Sequence, residues 1–565
     1  MRVFGIEKFK GLLLAGSFTV LASYVVRLSD SIIAGNMIGA DALAGVTLIA
    51  PCLSAVSFVA GLIATGMATN YSIAMGRCDR ARARQIFMQA LWSVLIAGGV
   101  LAAAFLFGKD AFLSFMGASP EVTRHAADYL KWVWPVAILE GLEMLLVSLG
   151  YADGDARLCS ISYVFIFIGN FAISILGVKL GLGTAGCALG SIVSESLGAL
   201  VMAIHFLRKT NTFRPVRHFA WRDSLLIVKS SFGDAAAFLC DGCLFLFLNK
   251  FIIVHFGSGL LPIVGVATAL WGFLEFFNGI GVAIQPIVTV YYGENNTRSV
   301  RKVMGAAMKV AVIEGVVFMA FFGAFPEAVV KLVGLSDAAM IGDACVALRC
   351  ISIGFVALAF AGLFNSYYMF VERAFLAGVV TFLCYLVMPI VCVAVCSLGG
   401  VTGVWVGLGL GPFAGLALTS LFILLLNGSG MYPLLLSRAR DAKLHVFDFE
   451  LTDLAIVSAS RQAAGVLAKS GVAEGVILRV SLLIEEVMMA VKDRNRGKKV
   501  LAEATLDLND GVSLTLRDDG EIFDITDADQ QISSLRSFLV ASMMMYQDGR
   551  MNLVTTGFNR NVFRF

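Results

Sequence analysis

Charge is scarce in this chain. Of its 565 residues only 15% are charged while 58% are hydrophobic, with a mean hydropathy of +0.85, which excludes a soluble globular fold for most of the length. The net charge of +3 is small and forms no basic stripe, so a nucleic-acid partner is excluded. No GxxxxGK[ST] loop occurs, which argues against P-loop ATP-driven transport. The eleven cysteines show no paired metal-ligand spacing; Cys240 and Cys243 share one apolar helix with no second pair, and the set reads as small buried residues in a reduced or lipid setting. No metal centre or cofactor is expected. The apolar run that follows Arg2, Lys8 and Lys10 lacks a small-residue cleavage site, so it is expected to be a retained first span.

What is abundant is apolar sequence of membrane-crossing length. Windows of about 20 apolar residues bounded by glycine, proline or charge predict about twelve spans. They are 11–37, 45–73, 86–107, 128–150, 160–180, 186–207, 231–256, 262–290, 303–323, 344–370, 374–398 and 401–426. Alternate connections hold the basic residues: Arg77, Arg80, Arg82 and Arg84; Arg157; Arg208 to Arg222; Arg298, Arg301 and Lys302; Arg373. By the positive-inside rule those connections face the cytoplasm, and an even span number puts both termini there, in a cell (inner) membrane protein.

The chain repeats itself at a lag of about 217 to 220 residues, the mark of duplicated transporter halves. Met75-Gly76-Arg77-Cys78-Asp79 through Arg84 lies over Tyr292-Gly293-Glu294-Asn295-Asn296 through Arg301, and Ile38-Gly39-Ala40-Asp41 answers Phe256-Gly257-Ser258-Gly259. Six spans per half make the halves parallel, with a cleft between two bundles. The expected organisation is an N-lobe at 1–207, an inter-lobe loop at 208–230, a C-lobe at 231–426, a linker at 427–441 and a separate domain at 442–565. The fold class is thus an all-α polytopic membrane protein of two six-helix lobes, followed by a cytoplasmic α/β sandwich; a monomer is expected.

Ionisable residues inside such spans cost about 2.5 to 3.5 kcal/mol each and call for a reason. Arg27 and Asp30 sit three apart on one face of the first span. Either they neutralise each other, or Asp30 faces a water-filled cavity and takes up a proton or a metal cation, Na+ included. Glu275 lies among Trp271, Phe273, Phe276 and Phe277 with Asn278 beside it, a setting that suits a bulky organic cation through charge pairing and cation-π contact, or that is simply lipid and core packing. Asn170 and Gln285 offer cation-coordinating oxygens or bonds across helices. Glu140 and Glu143 share a face of the fourth span as relay groups or cleft lining; Glu195, Glu314 and Arg349 are further ionisable residues, with Arg349 and Glu314 as one candidate pair.

The motifs Ser29-Asp30-Ser31-Ile32-Ile33-Ala34-Gly35 with Gly39, Ala42-Leu43-Ala44 and Pro51, Gly150-Tyr151-Ala152-Asp153-Gly154-Asp155-Ala156-Arg157, Asn170 with Gly181-Leu182-Gly183 and Gly186, and Gln285-Pro286 with Tyr292-Gly293 stand in the order found in one family. Over about residues 8–426 the chain resembles the multidrug and toxic compound extrusion (MATE) transporters, although it lacks the proline often seen just after Gly154-Asp155. The resemblance implies a cation-coupled antiporter, driven by H+ or Na+, that exports amphipathic organic cations by alternating access, with membrane lipid as its surroundings and no enzymatic activity. It places Asp30 at the family's acidic position in the first span and Asp241 near the acidic position of the seventh. A flippase for a lipid-linked precursor and a membrane ligand sensor are the alternative functions; the acids at Asp30, Asp241 and Glu275 argue against an anionic head group.

Beyond Asn427-Gly428-Ser429-Gly430-Met431-Tyr432-Pro433 the composition changes, and about two-fifths of all charged residues lie past position 439. A strand at 444–450, helices at 452–470 and 475–493, a hairpin of 500–508 and 512–518 across Asn509-Asp510-Gly511, a helix at 531–546 and two final strands are predicted. Val480-Ser481-Leu482-Leu483-Ile484-Glu485-Glu486 and Leu516-Arg517-Asp518-Asp519-Gly520 resemble the histidine-kinase-like ATPase fold, anti-sigma-factor branch. The resemblance implies an adenine contact at Asp518 or Asp519, followed by Gly520, with Glu485 as a remnant of the magnesium-supporting acid. The asparagine position is Met489 or Ala490, neither able to ligate magnesium, and Gln531-Ile532-Ser533-Ser534-Leu535 stands where a glycine-rich phosphate lid belongs. A degenerate domain that has lost ATP hydrolysis, and serves as a regulator or docks a cytoplasmic regulatory protein, is expected; ATP binding stays open, and a plain turn after a strand is the alternative for Asp518-Asp519-Gly520.

Overall fold

The structure is a computed structural model, and it describes residues 3–77, 79–116, 120–208, 216–257, 260–272, 276–333, 338–427, 433–437, 439–521, 551–555 and 558–565. A first set of helices comprises α1 (Phe4–Met37), α2 (Ala40–Gly76), α3 (Arg80–Met116), α4 (Pro120–Val133), α5 (Val136–Ala152), α6 (Ala156–Lys179) and α7 (Thr184–Ala203). The second set comprises α8 (Trp221–Phe256), α9 (Leu261–Gly272), α10 (Asn278–Gly293), α11 (Thr297–Ala324), α12 (Pro326–Val333), α13 (Ala338–Ser352), α14 (Phe355–Phe370), α15 (Ala374–Thr381), α16 (Met388–Cys396) and α17 (Val401–Asn427). A helix or a broken helix pair runs through each expected span. Among the described residues seven helices are long and apolar enough to cross a membrane, or up to nine if each bent pair is one span.

The breaks have local causes. The chain bends by 54° between α4 and α5, where Trp134-Pro135 removes a donor from the helical ladder. It bends by 45° between α13 and α14 at Gly354, where an added Cβ would lie 2.8 Å from the Gly409 carbonyl oxygen. The two bends fall at matching places in the sequence repeat. One π-helical stretch, Phe382–Val387, joins α15 to α16 just before Pro389.

Helix pairs close on small residues, as expected where lipid supplies no hydrophobic drive between helices. Gly407, Gly411 and Gly415 stand at every fourth position of α17, and a Cβ on each would meet the backbone of Cys392, Pro389 and Cys384 at 2.5, 2.4 and 2.7 Å. Gly177 of α6 and Gly186 of α7 touch in the same way, with a Cβ on either 2.7 Å from the other's backbone.

Two of the connecting stretches are themselves ordered against the bundle. The inter-lobe loop expected at 208–230 is helical from Trp221 onward, where Asp223 is held by Arg82 and His218 and Ile227 is buried. Within the expected linker of 427–441, Leu434, Leu435 and Leu436 are buried in the bundle core, held by bonds from Tyr367 Oη to the Leu434 carbonyl (2.7 Å) and from Tyr368 Oη to the Pro433 carbonyl (2.8 Å).

The last part of the chain is β1 (Leu444–Glu450), α18 (Asp453–Lys469), α19 (Glu474–Arg494), β2 (Leu501–Asp507), β3 (Ser513–Asp518), β4 (Met551–Thr555) and β5 (Phe558–Arg564). The five strands form one antiparallel sheet in the order β1-β2-β3-β5-β4. Thr452 caps α18 by accepting from the Ala455 amide. Alternation along each strand separates two faces. Ala502, Ala504, Leu506, Leu514, Leu516 and Phe563 form a core with Ile456, Leu483, Ile484 and Val487 of the helices. Glu503, Arg517 and Arg560 point the other way, toward the helix bundle, and are buried there. The helix expected at 531–546 lies outside the described residues.

Candidate functional site

Asp30 is buried in the first helix set at the meeting of four helices. Tyr129 Oη of α4 donates to its Oδ2 at 2.6 Å and Ser191 Oγ of α7 donates to the same oxygen at 3.0 Å. The adjacent Ser29 Oγ donates to Asn170 Oδ1 of α6 at 2.5 Å, and Asn170 Nδ2 donates to Ser191 Oγ at 3.2 Å. One closed ring of polar groups thus joins α1, α4, α6 and α7. Asp30 Oδ1 is buried and has no hydrogen-bond partner among the described residues. The Arg27 side chain lies outside the described residues. A carboxylate whose described partners are neutral, the Tyr129 and Ser191 hydroxyls and the Asn170 amide, is costly in an interior of low dielectric, and binding a proton or a small cation removes that cost.

Tyr129 and Ser191 were not singled out from the sequence. Tyr129 carries a faint signal, since it is a buried position within the strongly amphipathic stretch Pro120–Val133. Ser191 carries none, because serine is common in packed membrane helices.

The remaining candidates are distributed over both helix sets. Gln285 of α10 reaches α2, where its Nε2 donates to Thr69 Oγ1 at 3.2 Å and to the Thr65 carbonyl at 3.5 Å. Glu140 Oε1 accepts from Ser57 Oγ at 2.5 Å. Glu143, one turn along α5, is buried and its Oε1 has no described hydrogen-bond partner. Trp271 is buried in the apolar core, the Phe276 ring lies 5.0 Å from Phe318, and Asn278 is exposed at the start of α10. Arg349 Nε donates to the Gly323 carbonyl at 3.3 Å. Asp241 is carried by α8 with its side chain outside the described residues, as is the whole of Glu275.

A second buried polar cluster grows from the Gly150 to Arg157 motif. His205, just past α7, has Nδ1 3.1 Å from Asp155 Oδ2 and Nε2 3.1 Å from Asp153 Oδ2. Arg208 Nη1 donates to Asp155 Oδ1 at 2.7 Å. Two carboxylates and two basic groups bind the turn between α5 and α6 to the end of α7, which makes the cluster a structural tie.

In the C-terminal part Asp518 is fully buried; its Oδ1 accepts from Asn559 Nδ2 at 2.7 Å and from the Gly520 amide at 3.1 Å, and its Oδ2 has no described hydrogen-bond partner. Burial pushes this carboxyl up to about 6, against the pull of those two donors. Asp519 is used structurally: Oδ1 accepts from the Leu501 amide at 2.7 Å, and Oδ2 lies 3.7 Å from Lys8 Nζ. Glu485 is half-buried on α19. Met489 and Ala490, at the position expected to support magnesium, offer no ligand.

A polytopic bundle of long apolar helices with an acid buried among them is the architecture of an integral-membrane protein. The MatE family model matches residues 16–177 and 238–394, and the chain belongs to the MatE family, whose members are membrane transporters and not enzymes. It is 23% identical over 345 residues to the multidrug export protein MepA of Staphylococcus haemolyticus (strain JCSC1435), covering 58% of this chain and 74% of that protein. A shorter match, 31% identical over 204 residues, covers 34% of this chain and 41% of the probable multidrug resistance protein NorM of Rhizobium meliloti (strain 1021). Among solved structures, the outward-facing conformation of a multidrug resistance MATE family transporter of the MOP superfamily superposes with a TM-score of 0.68 at 21% identity, covering 75% of this chain and 97% of that one. MATE in the straight conformation gives 0.67 at 21% identity, over 74% and 96%.

Proposed function

We propose that the protein is a cation-coupled antiporter that exports amphipathic organic cations or drugs across the cell (inner) membrane by alternating access of two six-helix lobes. Both termini are cytoplasmic in this reading, so the end of the bundle that bears the C-terminal domain faces the cytoplasm. The observation that carries it is the Asp30 ring: a buried acid held on Oδ2 by Tyr129 and Ser191, whose Oδ1 has no hydrogen-bond partner among the described residues. Loading and unloading Asp30 changes the charge inside one lobe and so biases two arrangements of the bundle. The names of the relatives, multidrug export and multidrug resistance proteins, support the substrate class. Glu140, Glu143, Gln285 and the Phe276 region are the proposed substrate-facing groups, with Asp241 and Asn170 assisting ion coupling.

The test is flux of a fluorescent organic cation from proteoliposomes under an imposed proton or sodium gradient. Asp30→Asn should abolish gradient-driven export while leaving the protein inserted and folded. Undiminished export by that variant defeats the reading. A response to sodium at constant pH assigns Na+ instead of H+ to the same oxygens.

The C-terminal domain fits a degenerate histidine-kinase-like ATPase fold that regulates the transporter. Two helices on one face of an antiparallel sheet and the buried Asp518 support the fold; the use of Asp519 by Leu501 and Lys8, together with Met489, supports the loss of hydrolysis.

A further inference from the structure

The sheet of the C-terminal domain presents a row of charge to the bundle. At one register Asp448, Glu503, Arg517 and Arg560 stand side by side on β1, β2, β3 and β5, and all four are buried. Like charges directly opposite each other across strands destabilise a sheet, yet Arg517 and Arg560 are such a pair. Within the sheet Arg517 pairs with Glu503 of β2, and the second carboxylate comes from outside the domain. Glu294, the residue that follows α10, pairs with Arg517 and lies 2.5 Å from Arg560 Nε. Tyr291 of α10 donates to Glu503 Oε2 at 2.8 Å and lies under the Arg517 guanidinium, 4.9 Å from ring centroid to Cζ.

Arg560 also reaches the other helix set. Its Nη1 donates to the Met75 carbonyl at 3.2 Å and its Nη2 to the Gly76 carbonyl at 3.0 Å. These carbonyls end α2, where the helix leaves acceptors unsatisfied and its dipole favours a cation. A single planar guanidinium therefore holds the ends of α2 and α10 at once, which a lysine ammonium could not do with the same geometry.

The two ends it holds are the repeat-related positions Gly76 and Gly293, and they touch. A Cβ on Gly76 would lie 2.5 Å from the Val290 carbonyl oxygen and 3.0 Å from Gly293 Cα; one on Gly293 would lie 2.6 Å from the Ile73 carbonyl oxygen and 2.9 Å from Gly76 Cα. Further in, Gln285 crosses from α10 to Thr69, and Ser231 Oγ of α8 donates to the Leu62 carbonyl of α2 at 2.5 Å. The bundle is closed at the end that carries the domain. Opening it there draws α2 away from α10 and takes the partners of Arg560 apart.

We infer that the C-terminal sheet is a latch on this closed end: it binds the ends of α2 and α10 together, and the bundle opens toward the domain only when Arg560 and Arg517 let go. Because docking and closure share the same contacts, each favours the other, and any agent that displaces the sheet favours opening. The inference deepens the regulatory role proposed above and rests on the alternating-access reading for its consequence in transport.

The experiment uses the full chain reconstituted in one orientation, with Thr69→Cys as a reporter about two helical turns inside the closed end. A membrane-impermeant maleimide is added on the domain side, and modification of the peptide that carries residue 69 is followed by mass spectrometry. Arg560→Ala and Glu294→Gln should each speed modification about tenfold or more. Glu294→Gln leaves the sheet's own sequence intact, and Arg560→Lys should give an intermediate rate if the fork geometry matters. Unchanged rates in both Arg560→Ala and Glu294→Gln overturn the latch, whatever the flux. Faster modification in a protein that never moves an organic cation upholds the latch and defeats the export reading; unchanged modification beside gradient-driven export does the reverse.

Discussion

Arg517 and Arg560 face each other across β3 and β5 with Glu294, the residue that follows α10, against both guanidinium groups. The domain carries the two cations and one anion, Glu503, which pairs with Arg517, and the helix bundle supplies the second anion, Glu294. Removing one partner of a buried ion network costs about 3 to 5 kcal/mol, because the charges left behind remain desolvated. Glu294→Ala should therefore loosen the domain from the bundle. The measurement is limited proteolysis in the segment between α17 and β1, which should quicken at least tenfold; equal cleavage rates would contradict the assigned network.

The closed end depends on glycine for contact distance. Gly76→Ala places a Cβ against the Val290 carbonyl, a backbone atom that cannot turn aside. Gly76→Ala and Gly293→Ala are expected to hold the helix ends apart, raise modification of Thr69→Cys from the domain side and lower export. Gly305→Ala is the control, since a Cβ there meets nothing within 4 Å.

The Asp30 ring makes a prediction about its hydroxyls. A hydrogen bond to a charged group is worth about 1.5 to 3 kcal/mol, equal to a factor of about ten or more in an equilibrium. Tyr129→Phe and Ser191→Ala each remove one donor from Oδ2. Both should move the coupling-ion concentration for half-maximal flux by about tenfold, and in the same direction. Opposite directions, or no movement, would mean that the ring is packing alone.

Asp518 gives the C-terminal domain a pH dependence. Its folded carboxyl, pushed up to about 6 by burial, binds a proton more tightly than the unfolded chain, whose ordinary value is 3.8. This group therefore adds stability at pH below about 4 and loses it as pH rises through about 6, a difference of about 3 kcal/mol. Asp518→Asn keeps an acceptor for Asn559 and Gly520 while discarding the charge. Thermal unfolding of the domain within the full chain should then be flatter between pH 4 and 6.5 and higher at pH 7.5 than in the parent protein.

Much of the architecture was readable in the sequence. The apolar windows coincide with helices or bent pairs, and β1, β2 and β3 begin and end within a residue or two of their expected limits. Alternation on β2 and β3 marks Ala502, Ala504, Leu514 and Leu516 as core. The start of α8 was missed because Trp221 to Lys229 mixes charge with apolar residues, the pattern of a helix at an interface. Leu434 to Leu436 were missed because a three-residue apolar run after Pro433 has no periodicity to interpret. Of the candidate site, Asp30 and Asn170 were legible by residue type and position, whereas Tyr129 and Ser191 became visible only with the helices packed.

Hydropathy and turn chemistry are properties of neighbouring residues, and so a largely helical membrane transporter with a small C-terminal sheet could be read from the chain alone. Which carboxylate is paired, and with what, was decided by the tertiary structure alone. Glu294 and Arg517 stand 223 residues apart in the chain, Arg560 and Gly76 still further, and neither pairing leaves a trace in any local window. The reason is physical: burial belongs to single segments, but the neutralisation of a buried charge belongs to the one arrangement in which distant segments bring their charges together.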